Sequence, residues 1–212
     1  MRLKQLLFVI IFFISFSTYA FAKKTAIVAA NNIDAIESTY RSLQDLSANF
    51  VQTTKVELVD RTVIKKGTFR FKKGGKIRIE YEGKDGKNYI SDGSTLWTYI
   101  EGDKKSLQTF AIDDETVPKE ALSFLNGFGT LKKEFSVTAS SAFPDAPAGT
   151  DALHLVPRGK AKHFESLDAL FGPDHLLSQL VIKNTSGNTS NYKFSEIKTN
   201  TNLSDGLFTP TY

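Results

Sequence analysis

The 212-residue chain contains no cysteine, and this absence limits both how the fold is stabilised and how the protein is held in place. No disulfide framework can form, so stability must come from the burial of apolar surface. A bacterial lipoprotein carries its acyl anchor on a cysteine at the processing site. We therefore expect that this protein is not itself lipid-anchored.

Long apolar runs are also scarce. The only one extends from Leu6 to Phe16 and is too short to span a bilayer comfortably. Arg2 and Lys4 precede this run and Ala20-Phe21-Ala22 follows it, which is the order of parts in a signal peptide with a small-residue cleavage site. The pattern predicts a signal peptide over residues 1–22 and a soluble, exported mature protein.

The remaining residues, 23–212, suit a single domain with a sizeable core, and they lack a strong charge of either sign. Loss of Arg2 and Lys4 leaves 25 basic side chains against 23 acidic ones, a formal net charge of +2. No sustained basic tract is present for nucleic acid or an anionic membrane. The sequence also shows no internal repeat and no low-complexity segment.

Catalytic and metal-binding motifs are missing as well. There is no HExxH pair, nucleophile elbow or glycine-rich phosphate loop, and His154, His163 and His175 lie in unrelated segments. We therefore predict neither enzymatic activity nor a cofactor or metal. Ser91-Asp92-Gly93 is interpreted as a hairpin turn in which Asp92 bonds its own backbone. Trp97 and Tyr99 share one strand face, where core packing is favoured over a carbohydrate-stacking platform.

The segment Gly67–Gly102 carries the strongest structural pattern, a series of short strands with tight turns. Apolar side chains alternate with polar ones on both sides of the turn Lys73-Gly74-Gly75-Lys76, as expected for half-buried strands of an antiparallel meander. The apolar positions are Phe69, Phe71, Ile77, Ile79 and Tyr81.

Further strands are predicted from Phe50 onward and in the second half of the chain, about ten in all. The predicted ranges outside the meander are Phe50–Thr54, Ser106–Ile112, Phe135–Ala139, Leu153–Val156, Leu167–Phe171, Leu177–Lys183 and Asn191–Ile197. Helical spacing indicates two short amphipathic helices. The first carries Ile33, Ile36, Tyr40 and Leu43, and the second carries Leu122, Phe124, Leu125 and Phe128.

Neither helix can bury its apolar stripe alone, so the simplest arrangement is a curved sheet whose apolar concave face is covered by both helices. The helices would then act as a lid over an apolar pocket. The same side chains could instead form an ordinary packed core. Periodicity alone favours the core, because most strands with one apolar face are core strands.

Several motifs, taken in order, resemble the LolA family of periplasmic outer-membrane lipoprotein carriers, and together they extend over nearly all of the mature chain. The matching segments are Leu43-x-x-Leu46-x-Ala48-x-Phe50-x-Gln52, Gly67-x-Phe69-x-Phe71-Lys72-Lys73-Gly74, Ile77-Arg78-Ile79-Glu80-Tyr81, Ile90-Ser91-Asp92-Gly93-x-x-Leu96-Trp97-x-Tyr99, Asp151-x-Leu153-x-Leu155-x-Pro157, Gly187-Asn188-Thr189 and Phe208-Thr209-Pro210.

The resemblance implies a mainly β fold with some helix: an incomplete, half-open antiparallel β-barrel with a helical lid over a hydrophobic cavity. It implies a monomeric periplasmic chaperone that takes acylated lipoproteins from an inner-membrane ABC transporter and passes them to an outer-membrane receptor. On this interpretation the acyl chains contact Phe69, Phe71, Ile77, Ile79, Tyr81, Leu122, Phe124, Leu125 and Phe128. The alternative is a periplasmic sensor or interaction module on the same half-barrel, which binds envelope lipid or protein without transport.

The chain departs from the family pattern at Lys72-Lys73-Gly74-Gly75, where carriers have a basic pair followed by proline, often with arginine second. Strand parity places Lys73 on the apolar side at the rim. The resemblance implies that a basic residue at this position hydrogen-bonds the lid, which makes Lys73 the candidate latch. Lysine lacks the planar fork of arginine, which predicts a weaker latch, and a solvated turn lysine is the alternative. The chain also ends at Tyr212, without the carboxy-terminal extension of some members, and the mature chain has no methionine.

Overall fold

Eleven strands form one open antiparallel sheet in the computed structural model, which describes residues 32–84, 86–112, 128–159 and 164–210. Their bounds are β1 (Asp45–Val56), β2 (Arg61–Lys72), β3 (Lys76–Tyr81), β4 (Lys87–Asp92), β5 (Thr95–Ile100), β6 (Asp103–Ala111), β7 (Phe135–Ala139), β8 (Asp151–Pro157), β9 (Phe164–Phe171), β10 (Leu177–Asn184) and β11 (Thr189–Thr199). The order across the sheet is β6-β5-β4-β3-β2-β1-β11-β10-β9-β8-β7, so β1 pairs with β11 and joins the two halves of the chain. The expected mainly β, antiparallel architecture is confirmed as an open sheet.

Helical segments are short. Residues 32–42 form helix α1, Leu131–Glu134 form helix α2, and 3-10 turns lie at Glu57–Val59, Phe128–Thr130 and Asp205–Phe208. No helix within the described ranges has both the length and the apolar character needed to cross a membrane. The predicted signal peptide lies outside these ranges, and so do Leu122, Phe124 and Leu125 of the second predicted helix.

The predicted meander is confirmed in its pairing. Phe69 lies opposite Ile79 and Phe71 opposite Ile77, so the alternating apolar residues share one face. Glycine is required where the turns meet, because Gly93 has a φ of 98° and a β-carbon there would lie 2.2 Å from the Gly74 carbonyl oxygen. Asp92 accepts hydrogen bonds from the Ser94 and Thr95 amides at 2.8 Å each, as its interpretation as a turn residue predicts.

Most strand predictions agree with the structure to within a few residues, and Phe135–Ala139 agrees at both ends. The predicted start of the first strand at Phe50 is wrong, because β1 begins at Asp45. The residues before Phe50 pair with both neighbours, since Leu46 lies opposite Phe71 on β2 and opposite Thr199 on β11. Pairing on both sides outweighs the weak strand propensity of Asp45, Ser47 and Asn49.

Two clusters of buried apolar residues lie on one face of the sheet, here called the inner face. The first, the β7–β10 cluster, contains the buried residues Ile33, Ile36, Leu131, Phe135, Leu153, Leu155, Phe164, Leu167, Ala169, Phe171, Leu177 and Leu180. The second, the β1–β3 cluster, contains Leu43, Leu46, Ala48, Phe50, Phe69 and Ile77. Tyr40, Tyr192 and Phe194 pack against both clusters, so α1 and β11 bridge them.

The opposite, outer face is partly covered by the carboxy-terminal segment. Asp45 is buried and accepts four hydrogen bonds, from the amides of Thr201, Asn202 and Leu203 and from the Thr201 hydroxyl. Burial by itself would raise the pKa of Asp45, but these bonds outweigh it and hold the pKa below its usual value. The carboxy-terminal segment is thereby held at the start of β1.

Beyond this anchor, the 3-10 turn Asp205–Phe208 lies over β3 and β4. Arg78 donates to the Leu207 carbonyl at 2.9 Å, and Asp205 pairs with Lys72 and Lys76 at 2.6 and 3.0 Å. Phe208 is fully buried. The tail therefore covers the outer face of the meander at β3 and β4, while a pocket of about 140 Å³ remains on the outer face of β1 and β2, lined by Asn49, Thr68 and Arg70 among others.

Candidate functional site

A small apolar pocket lies where the two clusters meet. Its volume is about 30 Å³, and its lining is contributed by α1, β1, β2, β10 and β11: Tyr40, Leu46, Ala48, Phe69, Phe71, Leu177, Phe194 and Ile197. A space of this size holds no more than one or two water molecules. The lining has one polar side-chain group, the Tyr40 hydroxyl, which accepts a hydrogen bond from the Leu177 amide at 3.0 Å. Burial raises the pKa of Tyr40, so the hydroxyl stays neutral.

The pocket arises from a small residue among large ones. Ala48 lies opposite Phe69 on β2, and the Phe69 ring makes an edge contact with Phe194 at 6.5 Å between centroids. Alanine fills little of the space between such rings, so a gap remains next to it. The gap therefore depends on the side chains of β1 and of the two strands beside it, β2 and β11.

A β-bulge in β11 adds a lining residue that simple alternation does not predict. The pairing with β1 shifts between Ser47 and Asn49, and Glu196 takes a left-handed φ of 52°. The extra residue places Phe194 and Ile197 on the same face although they are three positions apart. The period-2 rule misses Ile197 for this reason.

Helix α1 is held mainly to the β7–β10 half. Ile33 and Ile36 are buried in that cluster, and Asn32 donates to the Asp151 carboxylate. At the other side of the helix, Glu37 accepts from the Lys132 amide at 2.9 Å and Arg41 donates to the Gly129 carbonyl at 2.9 Å. The helix and the segment around α2 therefore form one unit.

Lys73 is exposed, and its ammonium nitrogen lies 3.5 Å from the Arg41 carbonyl oxygen near the end of α1. A cation at a helix carboxy terminus is favourable because the last carbonyls carry partial negative charge. The distance is at the upper limit of a hydrogen bond, so the contact is weak. The candidate latch therefore touches α1 in this structure, and its role stays a prediction.

The predicted cavity residues differ in where the structure places them. Phe69 and Phe71 line the pocket, and Ile77 is almost fully buried in the β1–β3 cluster. Ile79 and Tyr81 are partly buried against that cluster and do not line the pocket. Phe128 begins a 3-10 turn, while Leu122, Phe124 and Leu125 lie outside the described residues. The remaining six lining residues were not predicted as site residues.

Polar clusters away from the pocket are small. His154 contacts Asp168 at 2.8 Å, and Asp168 also accepts from the Ser140 hydroxyl at 2.6 Å. The Nδ1 atom of His175 is buried and has no hydrogen-bond partner among the described residues. It lies 3.7 Å from a carboxylate oxygen of Asp151. Among the described residues, no three histidine, aspartate or glutamate side chains are grouped as metal ligands. His163 lies outside these residues. Trp97 and Tyr99 are half-buried.

These features define a mainly β protein with an open antiparallel sheet, a helix across its inner face and an apolar pocket under that helix. The sequence model of the family described as outer membrane lipoprotein carrier protein LolA matches residues 41–211. The match covers well over half of the chain. The chain belongs to the LolA family.

Two curated relatives with the family's name are similar to the chain in sequence. The chain is 30% identical over 183 residues to the outer-membrane lipoprotein carrier protein of Coxiella burnetii, covering 85% of this chain and 81% of that one. It is 24% identical over 185 residues to the protein of the same name from Nitrosomonas europaea, with 85% of each covered. A solved LolA superfamily protein from Nitrosomonas europaea aligns with 86% of this chain and 97% of its own, at 11% identity and a TM-score of 0.47.

Proposed function

We propose that this protein is a periplasmic chaperone that carries acylated lipoproteins. It accepts them from an inner-membrane ABC transporter, shields their acyl chains against the inner face of the sheet, and releases them to an outer-membrane receptor. Family membership and the names of the relatives support the carrier role. The observation that carries the proposal for this chain is the apolar pocket between α1 and the sheet.

The pocket volume of about 30 Å³ implies that the described conformation is the closed one on this proposal. An acyl chain needs far more room, so α1 must move away from part of the inner face before cargo binds. Burial contributes about 0.8 kcal/mol per methylene, so about ten enclosed methylenes give roughly 8 kcal/mol, near micromolar affinity. Such an affinity retains the cargo in water and still permits transfer.

The contacts of α1 support one direction of opening. The helix makes hydrogen bonds to Asp151, Gly129 and Lys132 on the side of β7–β10. Toward β2, the side-chain hydrogen bond is the long one from Lys73. We therefore propose that α1 stays with the β7–β10 half while the lining from β1 and β2 separates from it. The cavity then opens along Phe69 and Phe71.

The proposed cavity wall includes further residues of the same face. Ile77, Ile79 and Tyr81 extend it across β3, and the segment with Leu122, Phe124, Leu125 and Phe128 forms the second part of the lid. Residues 1–22 act as the export signal in this proposal, and the mature protein works as a monomer.

The test is to incubate the purified mature protein with spheroplasts that contain an intact lipoprotein-releasing transporter. The wild-type protein is expected to release acylated lipoproteins into solution as a one-to-one complex. Phe71→Glu is expected to lower the recovered complex about ten-fold or more, because it places a carboxylate in the apolar cavity. Lys66→Glu is the matched control, since Lys66 is exposed and points to the outer face.

Absence of release by the wild-type protein contradicts the carrier role. If that protein still binds an acyl amphiphile in solution, the sensor or interaction module on the same fold becomes the better account. Circular dichroism of Phe71→Glu must show a folded protein. An unfolded variant would mean that Phe71 belongs to the core, and the assignment of this residue to the cavity would be wrong.

A further inference from the structure

The inner face changes character along β1 and β2, away from the pocket. Beyond Phe50 the side chains are tyrosines, an amide and lysines instead of aliphatic groups. The ring of Tyr81 makes an edge contact with Phe50 at 5.2 Å, and Tyr89 lies beside Tyr81 at 6.5 Å. The Tyr81 hydroxyl donates to the Gln52 side chain at 2.8 Å. A continuous aromatic surface thus leads from the apolar cluster to a polar end.

Strand register brings two lysines to this end. Lys65 lies opposite Gln52 on β1, so it shares the inner face with Phe69 and Phe71. The Tyr81 amide donates to the Asn88 side chain at 3.1 Å, which sets the segment from Lys87 to Tyr89 beside Tyr81. Gly67 keeps the surface flat, because a β-carbon there would lie 2.6 Å from the Phe50 ring.

Both lysines lean over the aromatic surface. The Lys65 ammonium lies 5.5 Å from the centre of the Tyr81 ring, and the Lys87 ammonium lies 5.7 Å from the centre of the Tyr89 ring. Each lysine is exposed, and neither makes an ion pair with a residue that the structure describes. Both ammonium groups are thus exposed to solvent above the aromatic surface.

Two acidic side chains of the meander, Glu80 and Glu101, are engaged on the other face. Glu80 is held there by Arg70 and Arg78, at 2.5 and 2.7 Å. Glu101 accepts from Asn88, which lies opposite Tyr99 and so also faces outward. On the outer face Glu80 is thus neutralised by two arginines. On the inner face Asp103 lies opposite Ile100, one strand beyond Lys87, and its carboxylate accepts from the Lys105 amide at 3.0 Å.

We propose that Lys65, Lys87, Tyr81 and Tyr89 form a subsite for the oxyanion headgroup of an acyl amphiphile, a carboxylate or a phosphodiester, whose chain lies along Phe50 and Phe69. The inference rests on the proposed function for the chain-binding part of this surface. It adds anionic acyl amphiphiles as a second class of ligand, because the acyl-glyceryl group of an acylated lipoprotein is uncharged.

The dimensions fit such a ligand. Lys65 and Phe69 are four residues apart on β2, which corresponds to about 13 Å at about 3.3 Å per residue. A headgroup at the lysines therefore places the chain over Phe50 and toward the pocket. Burial raises the pKa of Tyr89, so its hydroxyl stays protonated at neutral pH and can donate to the anion.

The experiment measures binding of three probes to the mature protein by equilibrium dialysis below their micellar concentrations. The probes are oleate, oleoyl-lysophosphatidylglycerol and neutral monoolein. The variants are the double substitution Lys65→Gln with Lys87→Gln, and a matched control, Lys66→Gln with Lys193→Gln. Both control lysines lie opposite Val51 on the outer face, and the change in net charge is the same.

At least one anionic probe is expected to bind the wild-type protein about ten-fold more tightly than monoolein, through two charge-assisted contacts. The Lys65/Lys87 double variant is expected to lose this preference while its affinity for monoolein is unchanged, and the control is expected to keep it. Preference for oleate would identify a carboxylate site and preference for the lysolipid a phosphodiester site; both support the proposal.

Equal affinity for all three probes would overturn the subsite, and so would a preference that survives in the Lys65/Lys87 double variant. These failures are separate from failure of the carrier proposal. Binding of monoolein depends on the apolar surface alone. If monoolein binds and neither anionic probe is preferred, only the subsite is contradicted. No binding of monoolein to the wild-type protein would contradict the apolar cavity itself. Thermal unfolding of all variants checks that these exposed substitutions leave the fold intact.

Discussion

The two halves of the inner face carry the same alternation of apolar residues but are packed to different degrees. In the β7–β10 half, twelve buried residues include Ile36, Leu155 and Phe171, each with 0% exposure. In the β1–β3 half, six residues are buried, and Phe71, Ile79 and Tyr81 around them are only partly so. The body of α1 lies over the first half, whereas only its end reaches the second.

On the proposed function, the β7–β10 half stabilises the domain and ligand exchange takes place on the β1–β3 side. A sealed cluster gains the full free energy of burial and opens only when the domain unfolds. A cluster covered by one end of a helix loses only a small part of its burial free energy when that end moves. The proposed site therefore lies at the boundary between the clusters, where opening exposes the β1–β3 side and leaves the β7–β10 side intact.

The largest expected effect is a contrast in stability between two phenylalanines. Phe171→Ala is expected to lower the free energy of unfolding by about 3–5 kcal/mol, because the fully buried ring leaves a cavity. Phe71→Ala is expected to cost only about 1–2 kcal/mol, since this ring is partly exposed and adjoins an existing gap. Urea unfolding of the mature protein measures both. Equal losses would abolish the distinction between the halves.

A smaller loss is expected at Asp45, which ties the carboxy-terminal segment to the β1–β3 half. Asp45→Asn removes a buried charge acceptor from three backbone amides and is expected to cost about 2–3 kcal/mol. Urea unfolding at neutral pH measures the loss. A loss below about 0.5 kcal/mol would show that the tail is not needed to hold this half.

The same carboxylate predicts a pH dependence. Its pKa is lower in the folded protein than the usual value of about 3.9, so its stabilisation is complete above that value. The contribution is lost as the pH falls through the folded-state pKa. In Asp45→Asn this part of the acid sensitivity is expected to disappear, which is visible as a flatter dependence of the free energy of unfolding below about pH 4.

The smallest expected effect concerns Lys73, whose contact with α1 links the two halves at the rim. Lys73→Ala is expected to speed release of a bound acyl probe about two- to three-fold, because one weak contact to the helix end is lost. Lys73→Arg is expected to slow release by a similar factor, since the guanidinium offers more donors. Stopped-flow fluorescence measures the rates, with Lys66→Ala as the control. Unchanged rates in both Lys73 variants would identify it as a solvated turn residue.

Much of the sheet was predictable because strand patterns are local. Alternation placed Phe69, Phe71, Ile77, Ile79 and Tyr81 on one face, and the turn residues located the hairpins, as the pairing of β2 with β3 confirms. The first strand was placed five residues too late, because Asp45, Ser47 and Asn49 have weak strand propensity and are held by pairing on both sides. The local pattern contains no information about pairing partners that lie far away in sequence.

The pocket lining was predictable only in part. Phe69 and Phe71 were identified, but Tyr40, Leu177 and Phe194 come from distant elements that meet only in the folded protein. Ile197 joins them through a bulge that shifts the alternation of β11 by one residue. An alternating pattern assigns a face, and it contains no information about how far a helix extends across that face.

From the sequence alone came the side chains that share a face in the meander strands, the positions of its turns, and the resemblance of the motifs to a lipoprotein-carrier family. Those properties depend on residue chemistry and on spacing within a few positions. Tertiary structure decided which of the apolar residues are sealed and which border a gap. Phe69 and Ile77 occupy the same face, yet only Phe69 lines the pocket, because packing depends on the small Ala48, the bulge in β11 and the end of α1.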